Sequence, residues 1–184
     1  MTDIEREQSD PFDFNLRVKE VKPQPTRGSS SENSPDIEPT LPVIQALQQY
    51  MADKKHVFLV GQPGAGKTKT LLRYLLELVE QAKGDSSAKI PILVQLKDYK
   101  VPSDDYYGIV HLIRKDLEDS WGLSLELAEI QRYLFHEQIF LLLVDGLNEL
   151  STSQEAWKDI RQFWDRCHKR QISIVYGKMA KLLA

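Results

Sequence analysis

The sequence contains one cysteine, Cys167, among its 184 residues. A single thiol cannot form an internal disulfide or a cysteine-based metal site, so a reducing, cytoplasmic environment is expected. No apolar run approaches the ~18 residues needed to cross a bilayer. The start "MTDIEREQSD" is acidic and polar, whereas a signal peptide begins with basic and then apolar residues. These absences predict a protein that does not contact membranes.

Positive charge is not in excess. The chain has 24 lysines and arginines against 27 aspartates and glutamates, a formal net charge of −3. Proteins that bind nucleic acid use a basic excess to displace the counterions of the phosphates. Nucleic-acid binding is therefore not expected. The four histidines are scattered without the spacing of metal ligands, which argues against a histidine metal centre.

Proline is concentrated at the beginning of the chain, where six of the nine prolines precede Val43 among serines and acidic residues. Such a composition cannot bury enough apolar surface to offset the entropy lost on ordering. We therefore predict a flexible arm over residues 1–40 and a folded domain over residues 41–184. Inside the arm, "FDFNLRVK" alternates apolar and polar residues. That pattern has two interpretations, a loose segment or a strand with one buried face.

From Leu41 onward, apolar strands alternate with amphipathic helices. The predicted strands are "HVFLV", "IPILVQL", "IFLLLVD" and "ISIV", and the third is the most apolar. Strand and helix alternation with short connections predicts a three-layer α/β domain with a mostly parallel sheet. The most apolar strand is expected at the centre, covered on both faces. A capping box of Thr152 and Glu155 is expected to begin the last helix.

A glycine-rich segment follows the first predicted strand and opens a helix. "VFLVGQPGAGKTKTLL" has the spacing G-x-x-x-x-G-K-[ST], which is typical of a phosphate-binding loop in this context. The glycines let backbone N–H groups converge on phosphate oxygens, and the helix N-terminus adds partial positive charge. The predicted nucleotide-binding residues are Gly61, Gln62, Pro63, Gly64, Ala65, Gly66, Lys67 and Thr68. Lys67 is expected to reach the β- and γ-phosphates, and Thr68 to bind Mg²⁺.

Acidic residues follow the most apolar strand. In "LLLVDGLNEL", Asp145 ends the strand and Glu149 comes four residues later. Ligands of open α/β sheets bind at the carboxyl ends of the strands, so Asp145 is predicted to assist Mg²⁺ binding there. Glu149 is the candidate general base, or the residue that positions the attacking water. Both are predicted catalytic residues.

These two motifs, together with "IPILVQLKDY", resemble the NACHT branch of signal-transduction NTPases, which is related to the AAA-type ATPases. The resemblance extends from about Val57 to Val175. It implies a P-loop NTPase fold with strand order 5-1-4-3-2, ATP or ADP as ligand, and Mg²⁺. Asn148 stands where the family usually carries an acid, and an amide cannot accept the proton of a water. The resemblance therefore implies that hydrolysis depends on Glu149.

The same resemblance implies that the fold is incomplete at the C-terminus, because the chain stops after the fourth core strand. The family's sensor arginine and helical lid are then expected to be missing, with Lys178 as the basic residue nearest the sensor position. An absent fifth strand would leave "HVFLV" as an apolar sheet edge, which favours association. A second copy, a partner strand or "FDFNLRV" is expected to cover that edge.

Three functional hypotheses remain open from the sequence. The first is a nucleotide-binding domain of a NACHT-type ATPase that hydrolyses ATP slowly at best. The second is a non-catalytic remnant or interaction module that binds nucleotide weakly or not at all. The third is an unrelated P-loop enzyme, such as a small-molecule kinase. The third fits less well, because the sequence offers no candidate substrate lid.

Overall fold

The structure, a computed structural model, describes residues 17–18, 41–53, 55–147 and 153–177. Its elements are β1 (Arg17–Val18), β2 (Leu41–Pro42), α1 (Val43–Asp53), β3 (His56–Leu59), α2 (Lys67–Ala82), β4 (Ile90–Gln95), α3 (Gly108–Trp121), α4 (Leu127–Arg132), β5 (Phe140–Asp145), α5 (Gln154–Arg170) and β6 (Ser173–Gly177). A 3₁₀ turn (Leu96–Asp98) follows β4, and a π-helical turn (Tyr133–Glu137) follows α4. None of the helices in these ranges is long and apolar enough to span a membrane.

Four strands form a parallel sheet in the order β3-β6-β5-β4. This order equals the 1-4-3-2 part of the topology that the resemblance implies. The fold class, an α/β domain with a mostly parallel sheet, is confirmed. Parallel neighbours need crossover connections, and the helices between the strands supply them on both faces of the sheet.

The central strand β5 explains how the layers are held together. Leu142 and Val144 face the larger core, which α3, α4 and α5 cover. Leu141 and Leu143 face the opposite core, which α1 and α2 cover. Because successive side chains of a strand point to opposite faces, a strand buried on both faces must be apolar throughout. The uninterrupted run in the sequence is therefore a consequence of the three-layer arrangement.

The described part of the N-terminal segment forms a small antiparallel pair. Arg17 lies opposite Pro42 and Val18 opposite Leu41, so β1 pairs with β2 immediately before α1. The expectation that this segment covers the edge of β3 is not met by these two residues, because their hydrogen-bonding partner is β2. The remainder of "FDFNLRV" lies outside the described residues.

The last helix begins one residue later than the capping box predicts. The hydroxyl oxygen of Ser153 accepts a hydrogen bond from the backbone N–H of Ala156 at 3.1 Å, which makes Ser153 the N-cap of α5. The predicted cap, Thr152, lies outside the described residues. Serine and threonine are adjacent here, and both have good N-cap chemistry, so sequence pattern alone does not distinguish them.

Candidate functional site

The loop between β3 and α2 turns sharply at two glycines. Gly64 has φ +77° and Gly66 has φ +78°, in the left-handed region that L-amino acids rarely adopt. The backbone N–H of Ala65 donates to the carbonyl of Gln62 at 3.2 Å, which closes the turn. This turn leads from the end of β3 directly into the first residue of α2, Lys67.

The first turn of α2 presents backbone donors to the loop. Its first helical bond runs from the N–H of Thr70 to the carbonyl of Gly66 at 2.8 Å. The N–H groups of Lys67, Thr68 and Lys69 precede that bond, and no side chain of the described residues caps the helix at Gly66. Together with the helix dipole, such groups attract an anion.

Two threonines of this turn have different environments. Thr70 is buried, and its hydroxyl donates to the carbonyl of Gly66 at 3.0 Å, so it is engaged within the helix. Thr68 is exposed beside the loop. Of the two threonines, Thr68 is therefore the one whose side chain is accessible to a metal or a phosphate.

The ammonium group of Lys67 lies against the loop. Its Nζ atom donates to the carbonyl of Gly61 at 2.9 Å and also to the carbonyl of Gln62. The side chain therefore folds back over the residues that connect β3 to the turn. A phosphate oxygen is a stronger acceptor for an ammonium group than a neutral carbonyl is. An incoming phosphate can thus compete with these carbonyls for the ammonium of Lys67.

Asp145 lies at the same edge of the sheet, half-buried at the end of β5. Gly177, at the end of β6, pairs in register with Leu59 of β3 and approaches Asp145 closely. A Cβ atom on Gly177 would lie 3.0 Å from Oδ1 of Asp145 and 2.9 Å from Cδ1 of Leu71 on α2. The carboxylate of Asp145 and the second turn of α2 therefore meet above Gly177.

These residues fit a magnesium ion. Mg²⁺ is usually held by one or two carboxylates together with substrate phosphates and water. This edge of the sheet offers the Asp145 carboxylate and the Thr68 hydroxyl, beside a loop built for phosphate. The absent side chain at Gly177 leaves the space in which the carboxylate lies.

Two side chains that the sequence patterns did not indicate, Tyr99 and Asp159, organise the loop that follows β4. Oδ2 of Asp159 on α5 accepts hydrogen bonds from the hydroxyl of Tyr99 at 2.6 Å and from the backbone N–H of Gly108 at 2.9 Å. Burial and the neighbouring Asp159 carboxylate raise the pKa of Tyr99, so its hydroxyl remains a donor. Asp159 is a charged residue of an amphipathic helix, three positions after Ala156. Nothing in the sequence around it indicates that it bonds to a distant loop.

The structure thus brings the loop residues 61–68 and Asp145 to one edge of the sheet. Glu149, the predicted base, lies outside the described residues, as do Asn148 and Lys178. Gly177 is an addition that sequence reasoning missed. The available signal was a glycine directly after an apolar strand in a predicted parallel sheet, where a close approach of neighbouring elements is common.

A parallel sheet whose first strand leads through this loop into a helix defines a P-loop NTPase domain. A family model described as "AAA domain" matches residues 50–178, most of the chain. The protein therefore belongs to the AAA domain family, whose members bind nucleotide. No curated protein sequence matches this chain.

Proposed function

We propose that this AAA domain binds ATP or ADP together with Mg²⁺ and hydrolyses ATP slowly, as the nucleotide switch of a NACHT-type signal-transduction protein. The observation that carries the proposal is the arrangement of the loop, in which the Lys67 ammonium folds over the loop carbonyls at the uncapped start of α2. This loop lies at the carboxyl edge of the sheet, where β5 ends at Asp145. The similarity of "LLLVDGLNEL" to the NACHT motif supports the finer assignment. The lone buried thiol of Cys167 suits a cytoplasmic setting.

Each part of the loop has a defined task in this proposal. The N–H groups of residues 66–69 and the helix dipole bind the phosphates through hydrogen bonds and partial charge. The ammonium of Lys67 leaves the carbonyls of Gly61 and Gln62 and bonds to phosphate oxygens. Because a phosphate oxygen carries negative charge and a carbonyl oxygen does not, the ammonium is attracted more strongly to the phosphate, and this exchange favours the bound state.

Thr68 and Asp145 would hold the magnesium ion, Thr68 through its hydroxyl and Asp145 through its carboxylate. When bound, Mg²⁺ neutralises the charge that develops on the phosphates. Glu149 is proposed to accept the proton of the attacking water. Because Asn148 cannot share that task, turnover is expected to be slow.

Thermal unfolding with and without nucleotide tests the proposal. A ligand present at 100 times its Kd adds about 2.7 kcal/mol of stability. For a domain of this size that increment raises Tm by roughly 5–10 °C. We expect this rise with Mg·ATP or Mg·ADP in the wild type, and its loss in Lys67→Ala.

A matched control is Lys69→Ala, which removes the same charge from the same helix turn. We expect this variant to retain most of the rise, because the Lys69 side chain is exposed, whereas Lys67 bonds to the loop carbonyls. Where binding is found, Glu149→Gln should abolish ATP turnover and keep the thermal shift. A folded wild type that shows no shift with either nucleotide would instead favour the non-catalytic interaction module.

A further inference from the structure

Gly177 is buried at the end of β6, between two elements of the proposed nucleotide site. The three heavy atoms nearest to a Cβ built on Gly177 are Cδ1 of Leu71 at 2.9 Å, Oδ1 of Asp145 at 3.0 Å and the carbonyl oxygen of Val144 at 3.6 Å. The first two belong to α2 and β5. A side chain at this position would therefore meet both elements at once.

Position 177 requires a glycine because the space for a side chain is too small, and its backbone conformation does not explain the requirement. Gly177 is not among the glycines with positive φ, so alanine could adopt its backbone angles. Gly64 is the opposite case, because its φ is +77° and nothing lies within 4 Å of an added Cβ. Position 177 excludes a side chain because α2 and Asp145 come close to each other there.

The contact with Leu71 connects Gly177 to the phosphate loop. Leu71 comes one helical turn after Lys67, so both residues lie on the same face of α2. Leu71 has no exposed surface and cannot move outward. The carboxylate of Asp145 is only half-buried, so an added methyl group would displace this carboxylate before it displaced Leu71.

We propose that Gly177 is a positioning residue, whose missing side chain lets the carboxylate of Asp145 lie close to Leu71 in the second turn of α2 and thereby supports Mg²⁺-dependent nucleotide binding. This inference rests on the proposed function. Gly177 has no side chain with which to contact nucleotide or metal, and its effect is transmitted through Asp145. Changes in residues that orient a metal ligand typically lower metal affinity about 10–100-fold.

The test measures the Kd of ATP with Mg²⁺ and with EDTA. The metal coupling is the Kd in EDTA divided by the Kd with Mg²⁺. Wild type, Gly177→Ala, Asp145→Asn and the double variant form a cycle. We expect Gly177→Ala to lower the coupling about 10–100-fold while the Kd in EDTA stays near the wild-type value. In the Asp145→Asn background, Gly177→Ala should cause no further loss, because both changes remove the same interaction.

Two additional variants separate this role from packing. Gly84→Ala adds a methyl group where nothing lies within 4 Å, so it should leave the coupling unchanged. Leu71→Val removes the Cδ1 atom that a Cβ at position 177 would meet. Combined with Gly177→Ala, it should restore thermal stability without restoring the coupling, and it provides a folded sample if the single variant unfolds.

The outcomes distinguish the inference from the function on which it rests. A wild type that binds no nucleotide contradicts the proposed function. A wild type with strong coupling that Gly177→Ala leaves intact overturns the inference alone. The inference is also wrong if Gly177→Ala lowers the coupling by the same factor with and without the Asp145 carboxylate.

Discussion

The glycines of the site serve two physical purposes. Gly64 and Gly66 adopt left-handed backbone angles that turn the chain from β3 into α2. Gly177 has ordinary angles and provides room for Asp145 and Leu71. Replacing glycine by alanine has a different effect in each case. Where the backbone is left-handed, alanine strains the substituted residue itself, and where space is short, alanine displaces the neighbouring residues.

Gly64→Ala tests the conformational requirement by itself, since no atom lies within 4 Å of an added Cβ there. A left-handed backbone costs an alanine roughly 1–2 kcal/mol. We expect the free energy of unfolding in urea to fall by about 1 kcal/mol, with weaker nucleotide binding as the loop relaxes. Gly84→Ala, whose φ is not in the left-handed region, is the matched control. Equal stabilities of the two variants would contradict this explanation.

At the scale of elements, β3, β6 and α5 meet in a cluster of aromatic and histidine side chains. The hydroxyl of Tyr176 lies 3.3 Å from Nδ1 of His56, and the ring of His168 lies 5.4 Å from the His56 ring. Burial lowers the pKa of His56, and the nearby His168 lowers it further. These two effects outweigh the Cys167 backbone, which raises it. The packing therefore favours a neutral His56.

This cluster predicts how stability depends on pH. The unfolded chain protonates His56 near pH 6.5, whereas the folded chain does so only at a lower pH. Between these two pH values the unfolded state binds more protons than the folded state does. The contribution of His56 to the free energy of unfolding is therefore fully present above pH 6.5 and decreases on acidification. We expect urea unfolding to show a smaller decline in His56→Gln than in the wild type. The exposed His136, replaced in the same way, should leave the decline unchanged, and identical profiles for all three proteins would refute the assignment.

At the scale of the whole molecule, one edge of the sheet exposes apolar surface. Among the described strands β3 pairs only with β6, while Phe58 is 39% and the adjoining Val60 60% exposed. Unpaired strand edges of this kind are templates for further strand pairing. We propose that a second copy of the chain, or a strand of a partner, occupies this edge.

Sedimentation velocity over a range of concentrations measures self-association directly. A lysine at position 60 places charge beside the edge, which disfavours strand pairing. We expect Val60→Lys to reduce the associated fraction. Leu123→Lys, a change of another apolar residue that is 51% exposed, should have little effect. A wild type that stays monomeric at every concentration would contradict self-association, and equal effects of both lysines would argue against this edge.

Local sequence determined much of this protein. The phosphate loop is eight consecutive residues, so its type and position follow from spacing and flanking periodicity alone. The buried β5 is recognisable because both of its faces are apolar. The fold class, the 1-4-3-2 part of the strand order implied by the resemblance and the placement of Asp145 at the carboxyl edge agree with the structure.

Only the tertiary structure decided which distant residues meet. Gly177 approaches Asp145 and Leu71, and Asp159 bonds to Tyr99 and Gly108, across long separations in the chain. The tertiary structure also decided that β1 pairs with β2, because a two-residue pairing depends on which strand edge lies within reach. Periodicity reports which face of an element is buried, but it contains no information about the partner that buries it. That partner is set by the packing of the layers, and so the supporting residues of the site emerge only from the folded chain.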